Sequence, residues 1–348
     1  MRTISNLDLL VNRDWLNQMH CRTMQLLAMA GRCTPAVDLL MYRALEPTHD
    51  IHHHCHARQE DRWSYPCHYV NEEDLGLLGL AVDSTPKVDL ADAAAFLRAA
   101  IDADRPVSFY APRGHFDFWV DRMRRDGTRP DEYFLLHSFM CCGITADARE
   151  VLIVDTTSAG NLHPFVVAFD VFTSAYPADP DRWFLICQSL RQFRATPDVG
   201  AIETRYIDWL DGFRDGFEVY DVIADSFAGE RDRFPEWYRR PSLNSLVLLA
   251  GSRDFFRRFL AHTTHDAGIV SAFAANADLL VTLLDETTRL QNGMSATSAD
   301  ELRGMLAAMK SRERQALRAL QTDLRRLTAG RRSGRLLRPS GDRNGDTR

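Results

Sequence analysis

Residues 133–155 read YFLLHSFMCCGITADAREVLIVD. Two runs rich in aromatic and branched side chains, Tyr133–Cys142 and Val151–Asp155, flank a polar stretch from Gly143 to Arg149. That pattern predicts a β-hairpin. If its strands pair symmetrically about Ala146, His137 and Asp155 stand opposite one another on one face, with Cβ atoms about 5 Å apart. A two-residue change of register leaves them diagonal and within reach, whereas a one-residue slip sends them to opposite faces. An antiparallel hairpin set among helices makes the class α+β.

Outward from the hairpin, the first half of the chain mixes short apolar runs with turns. Met24, Leu27 and Met29–Ala30, followed by Gly31, predict a helix of about three turns that begins near Cys21. The alanine-rich stretch Asp89–Asp102 reads as a helix with Asp89 as its N-cap. Pro106 introduces a short strand at Val107–Tyr110, and Gly114–Arg125 reads as a helix ended by Gly127 and Pro130. Trp183–Cys187 reads as a further strand.

Past residue 195 the spacing turns helical, over Ile202–Phe217, Phe255–Ala261 and Ile269–Leu290. Ser298–Glu301 is a capping-box pattern, and it opens a helix whose apolar positions run from Leu302 to Leu324 in steps of three and four. Gly330–Arg348 is rich in Arg, Gly and Ser with little to bury, so it is expected to be disordered. The expected organisation is an α+β domain over 1–190, a helical region over 191–330 and a basic tail over 331–348.

Composition narrows the function. Among 348 residues, 42 Lys and Arg face 48 Asp and Glu, a formal charge of −6 that lacks the basic footprint of general nucleic-acid binding. No uninterrupted apolar run approaches the roughly 20 residues of a bilayer span; the interrupted Ile269–Leu284 comes nearest. Asp8, Arg13 and Asp14 stand where a signal peptide has its apolar stretch, so the expected location is cytoplasmic, with no membrane partner. There is neither a G-x-x-x-x-G-K-[ST] phosphate loop nor a G-x-G-x-x-G fingerprint. Without an export signal the seven cysteines read as thiols rather than a disulfide framework.

An aspartate held against one imidazole nitrogen fixes the tautomer and leaves the other nitrogen to act on a nucleophile. Cys21 is the best candidate for that nucleophile. At the start of a helix, backbone N–H groups and the dipole stabilise a thiolate. Taken singly, each residue has an ordinary explanation: a packed cysteine, a hydrogen-bonded strand histidine, an aspartate that ends a strand. The order Cys, His, Asp, with the last two on consecutive strands, points to a triad that holds an acyl group as an enzyme thioester.

Four stretches carry a resemblance. They are Cys21–Ala28 with Gly31, Arg105–Pro112, Leu136–Gly143 and Val151–Asp155. Together they resemble the papain-like domain of butirosin biosynthesis protein H and its relatives over roughly residues 15–160. That group also resembles the peptidase domains that trim bacteriocin leaders and the cysteine-dependent amide synthase of closthioamide assembly. The resemblance implies a papain-like α+β fold with a central antiparallel sheet packed on helices, here with a helical C-terminal extension. It also implies an acyltransferase that accepts an acyl chain from the phosphopantetheine thiol of an acyl or peptidyl carrier protein and passes it to an amine. Cys21 is then the nucleophile, His137 the general base and acid, and Asp155 its orienting partner, with no metal and no resident cofactor. The family often has Gly-Tyr-Asp after its His strand, where this chain has Gly143-Ile144-Thr145. Asn17 and Gln18 stand nearest the place where papain-like enzymes hold an oxyanion-hole glutamine. A hydrolase or peptidase with the same triad is the first alternative.

Residues 49–68 compete for attention. They hold His49, His52, His53, His54, His56 and His68, with Cys55 and Cys67. Imidazoles and thiolates suit zinc, but no C-x-x-C knuckle is present, so the segment reads as a loop near the site. A non-catalytic metal-binding protein built on it is the second alternative. The Cys141–Cys142 pair reads as strand packing. Arg122, Arg124, Arg125 and Arg129, and the eight arginines from Arg325 onward, read as solvated faces that would also suit an acidic carrier protein.

Overall fold

The hairpin forms where the aromatic and branched residues place it. In the computed structural model, which describes residues 1–8, 21–67, 72–85, 92–125, 136–156, 162–175, 187–234, 239–329 and 336–337, the chain is a mixed helical and β protein. Seven strands occur among the described residues: β1 (Arg2–Thr3), β2 (Leu80–Thr85), β3 (Val107–Pro112), β4 (Leu136–Ile144), β5 (Glu150–Thr156), β6 (Leu162–Ala168) and β7 (Cys187–Gln192). An antiparallel sheet runs β4-β5-β6, with β3 and β1 both pairing β4; β2 and β7 form a separate antiparallel ribbon.

The β4–β5 register departs from the symmetric one. Met140 pairs with Val154 and Cys141 with Ile153, but Gly143 pairs with Leu152, so an irregularity between Cys141 and Gly143 takes up one residue. Gly143 is needed there for space. A Cβ on it would meet the Arg2 carbonyl oxygen at 2.8 Å and the Leu152 Cβ at 3.1 Å, blocking the approach of β1.

The chain divides into two compact units. One contains Cys21–Pro35 and Gly79–Ala195 with the amino-terminal strand; the other contains Ala36–Leu78 and the chain from Thr196 onward. Residues 36–78, expected in the first domain, therefore cluster with the C-terminal helices.

In the first unit, the helix Cys21–Cys33 is buried from Met24 to Ala30. A helix buried on every side needs apolar or fully bonded residues all round, and its one buried polar residue in that run, Gln25, is bonded. Phe109, Phe116, Phe139 and Phe172 form a layer over the sheet, each 1% exposed or less. Burial of such a ring is worth about 1.5–3 kcal/mol. The helix expected from Asp89 runs from Ala93 to Asp102. Residue 89 lies outside the described residues, as do 127–130, 133–135 and 183–186.

The second unit is helical. Pro241 occupies the first turn of Pro241–Leu260, where its missing N–H costs nothing. That helix buries Arg253 completely; its guanidinium pairs with Glu313 and donates to the Glu46 carbonyl at 2.7 Å. The expected capping box forms. Ser298 N donates to Glu301 Oε2 at 2.7 Å, and Glu301 N donates to Ser298 Oγ at 3.2 Å, opening the helix Ala299–Ala329. The helix Ala267–Gln291 is long and apolar enough to cross a membrane by length and composition alone. Within this unit it packs along the helices on either side of it in sequence and buries Asn276, Thr287 and Gln291 as well as Phe273 and Leu280.

Two residues of the tail pack within the helical unit. Leu336 and Leu337 are ordered and 1% exposed: Thr264 N donates to the Leu336 carbonyl at 2.7 Å, and Leu337 N donates to Glu203 Oε1 at 2.6 Å. Two adjacent leucines supply the apolar surface that a reading by overall composition discounted. Residues 330–335 and 338–348 lie outside the described residues.

Candidate functional site

His137 is the second residue of β4 and Asp155 the sixth of β5. Continued toward the open end of the hairpin, the observed register sets Phe139 opposite Asp155, so His137 lies one diagonal step away on the same face. The side chains meet: Nε2 of His137 is 2.9 Å from Asp155 Oδ1 and 3.0 Å from Oδ2.

Asp155 is 0% exposed. A carboxylate so buried needs strong donors, and a second comes from the helix Asp117–Arg125, where Trp119 Nε1 donates to Asp155 Oδ2 at 2.6 Å. The indole also packs edge-on against the imidazole with ring centroids 4.9 Å apart. Phe139 does the same from its own strand at 4.8 Å. The guanidinium of Arg113 lies 5.4 Å from the Trp119 ring centre. The imidazole is thus held by one carboxylate and two aromatic rings, with 14% of its side chain exposed. With Asp155 accepting from Nε2–H, the tautomer carries its lone pair on Nδ1.

The helix Cys21–Cys33 begins at the expected nucleophile. The side chain of Cys21 lies outside the described residues, as do Asn17 and Gln18. Four residues on, Gln25 ties this helix to β4: its Nε2 donates to the Ser138 carbonyl, and the Ser138 hydroxyl donates to Gln25 Oε1, both at 2.7 Å. Ser138 directly follows His137.

Three of the other described cysteines, Cys33, Cys55 and Cys142, are poor nucleophiles. Burial raises the thiol of Cys33, raises that of Cys142 strongly, and pushes that of Cys55 up to about 12. Cys141 is buried and Cys67 half-buried. The side chain of Cys187 lies outside the described residues.

The histidine-rich segment is ordered. Cys55 is sealed in the core, and His54 spans the Asp61 carbonyl at 2.7 Å and the Glu60 carboxylate at 3.2 Å. Among the described residues, no group of three or more His, Cys, Asp or Glu is placed to hold a metal ion. His68 lies outside them. Of the arginine cluster, Arg124 is exposed and pairs with Asp121 at 3.6 Å; Arg129 and the side chains of Arg122 and Arg125 lie outside the described residues.

Two site residues escaped the sequence reading, Trp119 and Gln25. Trp119 had a signal. Phe116, Trp119 and Met123 repeat at three and four residues through a charged helix, and a buried indole N–H needs an acceptor. No protein-family model matches the chain, and no curated protein matches it.

Proposed function

We propose that the chain is a cysteine-dependent acyltransferase of papain-like design, which moves an acyl group from a carrier-protein thioester through Cys21 to an amine. The observation that carries this reading is Asp155: a fully buried carboxylate bonded by both His137 and Trp119. A carboxylate fixed by a second donor, with two aromatic rings against one partly exposed imidazole, suits the orientation of a general base.

Supporting it, Cys21 opens a helix whose first-turn N–H groups lack intrahelical acceptors and favour a thiolate and an oxyanion. The Gln25–Ser138 link joins that helix to the strand of His137.

The chemistry then runs in two balanced steps. The Cys21 thiolate attacks the donor carbonyl, a new carbon–sulfur bond forms, the donor's breaks, and the His137 imidazolium gives its proton to the leaving thiolate. The amine next attacks the enzyme thioester, carbon–nitrogen replaces carbon–sulfur, and His137 takes the amine proton as the Cys21 thiolate leaves. The first exchange is nearly level in energy and the second downhill, so no nucleotide is consumed. The test is product analysis with an acyl-loaded carrier protein and excess amine. Amide is expected; acid alone, at every amine concentration, would assign the same triad to hydrolysis.

A further inference from the structure

A second feature of the first unit lies away from His137. A cleft of about 400 Å³ opens between the amino-terminal segment, the last turn of the helix Cys21–Cys33, the β2–β7 ribbon and the turn after the helix Ala93–Asp102. That volume is within the range of small-molecule pockets. All of its lining residues belong to the same unit. Arg105, on its wall, comes just before Val107, which pairs with Cys141, whereas His137 pairs with Ala111 further along β3. Cys33, also on the wall, ends the helix that Cys21 opens, about 18 Å away along its axis.

The charges round the cleft are unevenly matched. Three arginines and two aspartates line it. Arg32 is committed to the wall: Nε donates to the Ser5 carbonyl and Nη1 to the Asp104 carbonyl, each at 2.9 Å, and Nη2 pairs with the Asp104 carboxylate. That carboxylate also accepts from Ser5 N at 2.6 Å and Ser5 Oγ at 2.7 Å. Arg191 Nε lies 3.4 Å from Asp83, a single contact that leaves this carboxylate able to accept more. Arg105 has no ion-pair partner among the described residues. One guanidinium charge is therefore left over, in a chain whose formal charge is −6. The side-chain amides of Asn6 and Gln192 line the same space without hydrogen-bond partners among the described residues. Leu190 and the half-buried Cys33 thiol, which burial keeps protonated near pH 7, supply the apolar part.

We propose that this cleft binds a small monocarboxylate that also carries a hydroxyl or amino donor. The carboxylate takes the fork of Arg105 and so matches the one unpaired charge. Asp83 accepts from the donor, and the amides of Asn6 and Gln192 complete the contacts. A dianion such as phosphate would bring a second negative charge up to Asp83 and is disfavoured. Cys21, His137 and Asp155 take no part, so this site stands or falls apart from the acyl-transfer reading.

The test uses the full chain at physiological ionic strength. Serine, glutamine, 4-hydroxybenzoate and 4-aminobenzoate are the probes, with 4-hydroxybenzamide and inorganic phosphate as controls. Ligand-observed NMR should show saturable binding of at least one carboxylate, tighter than either control by at least about tenfold. Arg105→Gln breaks no ion pair among the described residues, so the variant should fold, and it should weaken that binding by at least about tenfold. Arg149→Gln, in the turn between β4 and β5, should leave it within about twofold. Bound carboxylate should also slow alkylation of Cys33 by iodoacetamide, read by peptide mass mapping. Binding of none of the four, phosphate held as tightly as the best carboxylate, full-strength binding in Arg105→Gln, or Cys33 alkylation indifferent to the ligand would overturn the proposal.

Discussion

Gln25 and Ser138 hold each other by two reciprocal hydrogen bonds, each of 2.7 Å, across 113 residues of sequence. Both side chains are buried, at 1% and 0% exposure. Gln25→Leu removes both bonds and strands the Ser138 hydroxyl, so urea denaturation should show a loss of about 1–3 kcal/mol. Adding Ser138→Ala should restore part of that loss, because an apolar pair leaves no buried hydroxyl unbonded. A double variant as unstable as the sum of the singles would contradict the pairing.

Trp119→Phe keeps a ring against His137 but takes the N–H from Asp155. Loss of a hydrogen bond to a buried charge should cost about 1.5–3 kcal/mol of stability. Asp155→Asn should slow acyl-enzyme formation by about 10²–10⁴-fold with the fold retained, the range seen when an orienting carboxylate becomes an amide. Circular dichroism and rapid-quench kinetics check the two statements separately.

Acid should weaken the helical unit through His265. Its imidazole side chain is 0% exposed, bridging Tyr206 at 2.9 Å and Asp323 at 2.7 Å, with Arg326 on the far side of that carboxylate. Burial lowers its pKa below the ordinary 6.5, against the pull of Asp323. The unfolded chain therefore binds this proton more readily. The associated stability is present above about pH 6.5 and is lost as pH falls through the lower folded-state value. Urea midpoints measured from pH 7.5 down to pH 5 should fall, and His265→Gln should flatten that fall.

The parts of the fold that could be read in advance are those set by local chemistry. The hairpin, the helix at Cys21 and the Ser298–Glu301 box each follow from residues within a few positions of one another. His137 and Asp155 were within reach because side-chain alternation tolerates a two-residue shift, which is the shift that the irregularity near Cys142 accompanies. β6 was missed because Pro164 interrupts its pattern, and among the described residues it lies at the end of the sheet, where proline is tolerated. The clustering of Ala36–Leu78 with the C-terminal helices depends on contacts such as Asp74 with Arg205 and Asp215 with Thr48, which span more than a hundred residues. No local pattern carries those.

The most direct measurement is the intact mass of the protein after brief exposure to an acyl-loaded carrier protein without amine. The account predicts one added acyl group, mapped to Cys21, absent from Cys21→Ala and formed far more slowly by His137→Ala. An unchanged mass, or an acyl group that persists in Cys21→Ala, would contradict it.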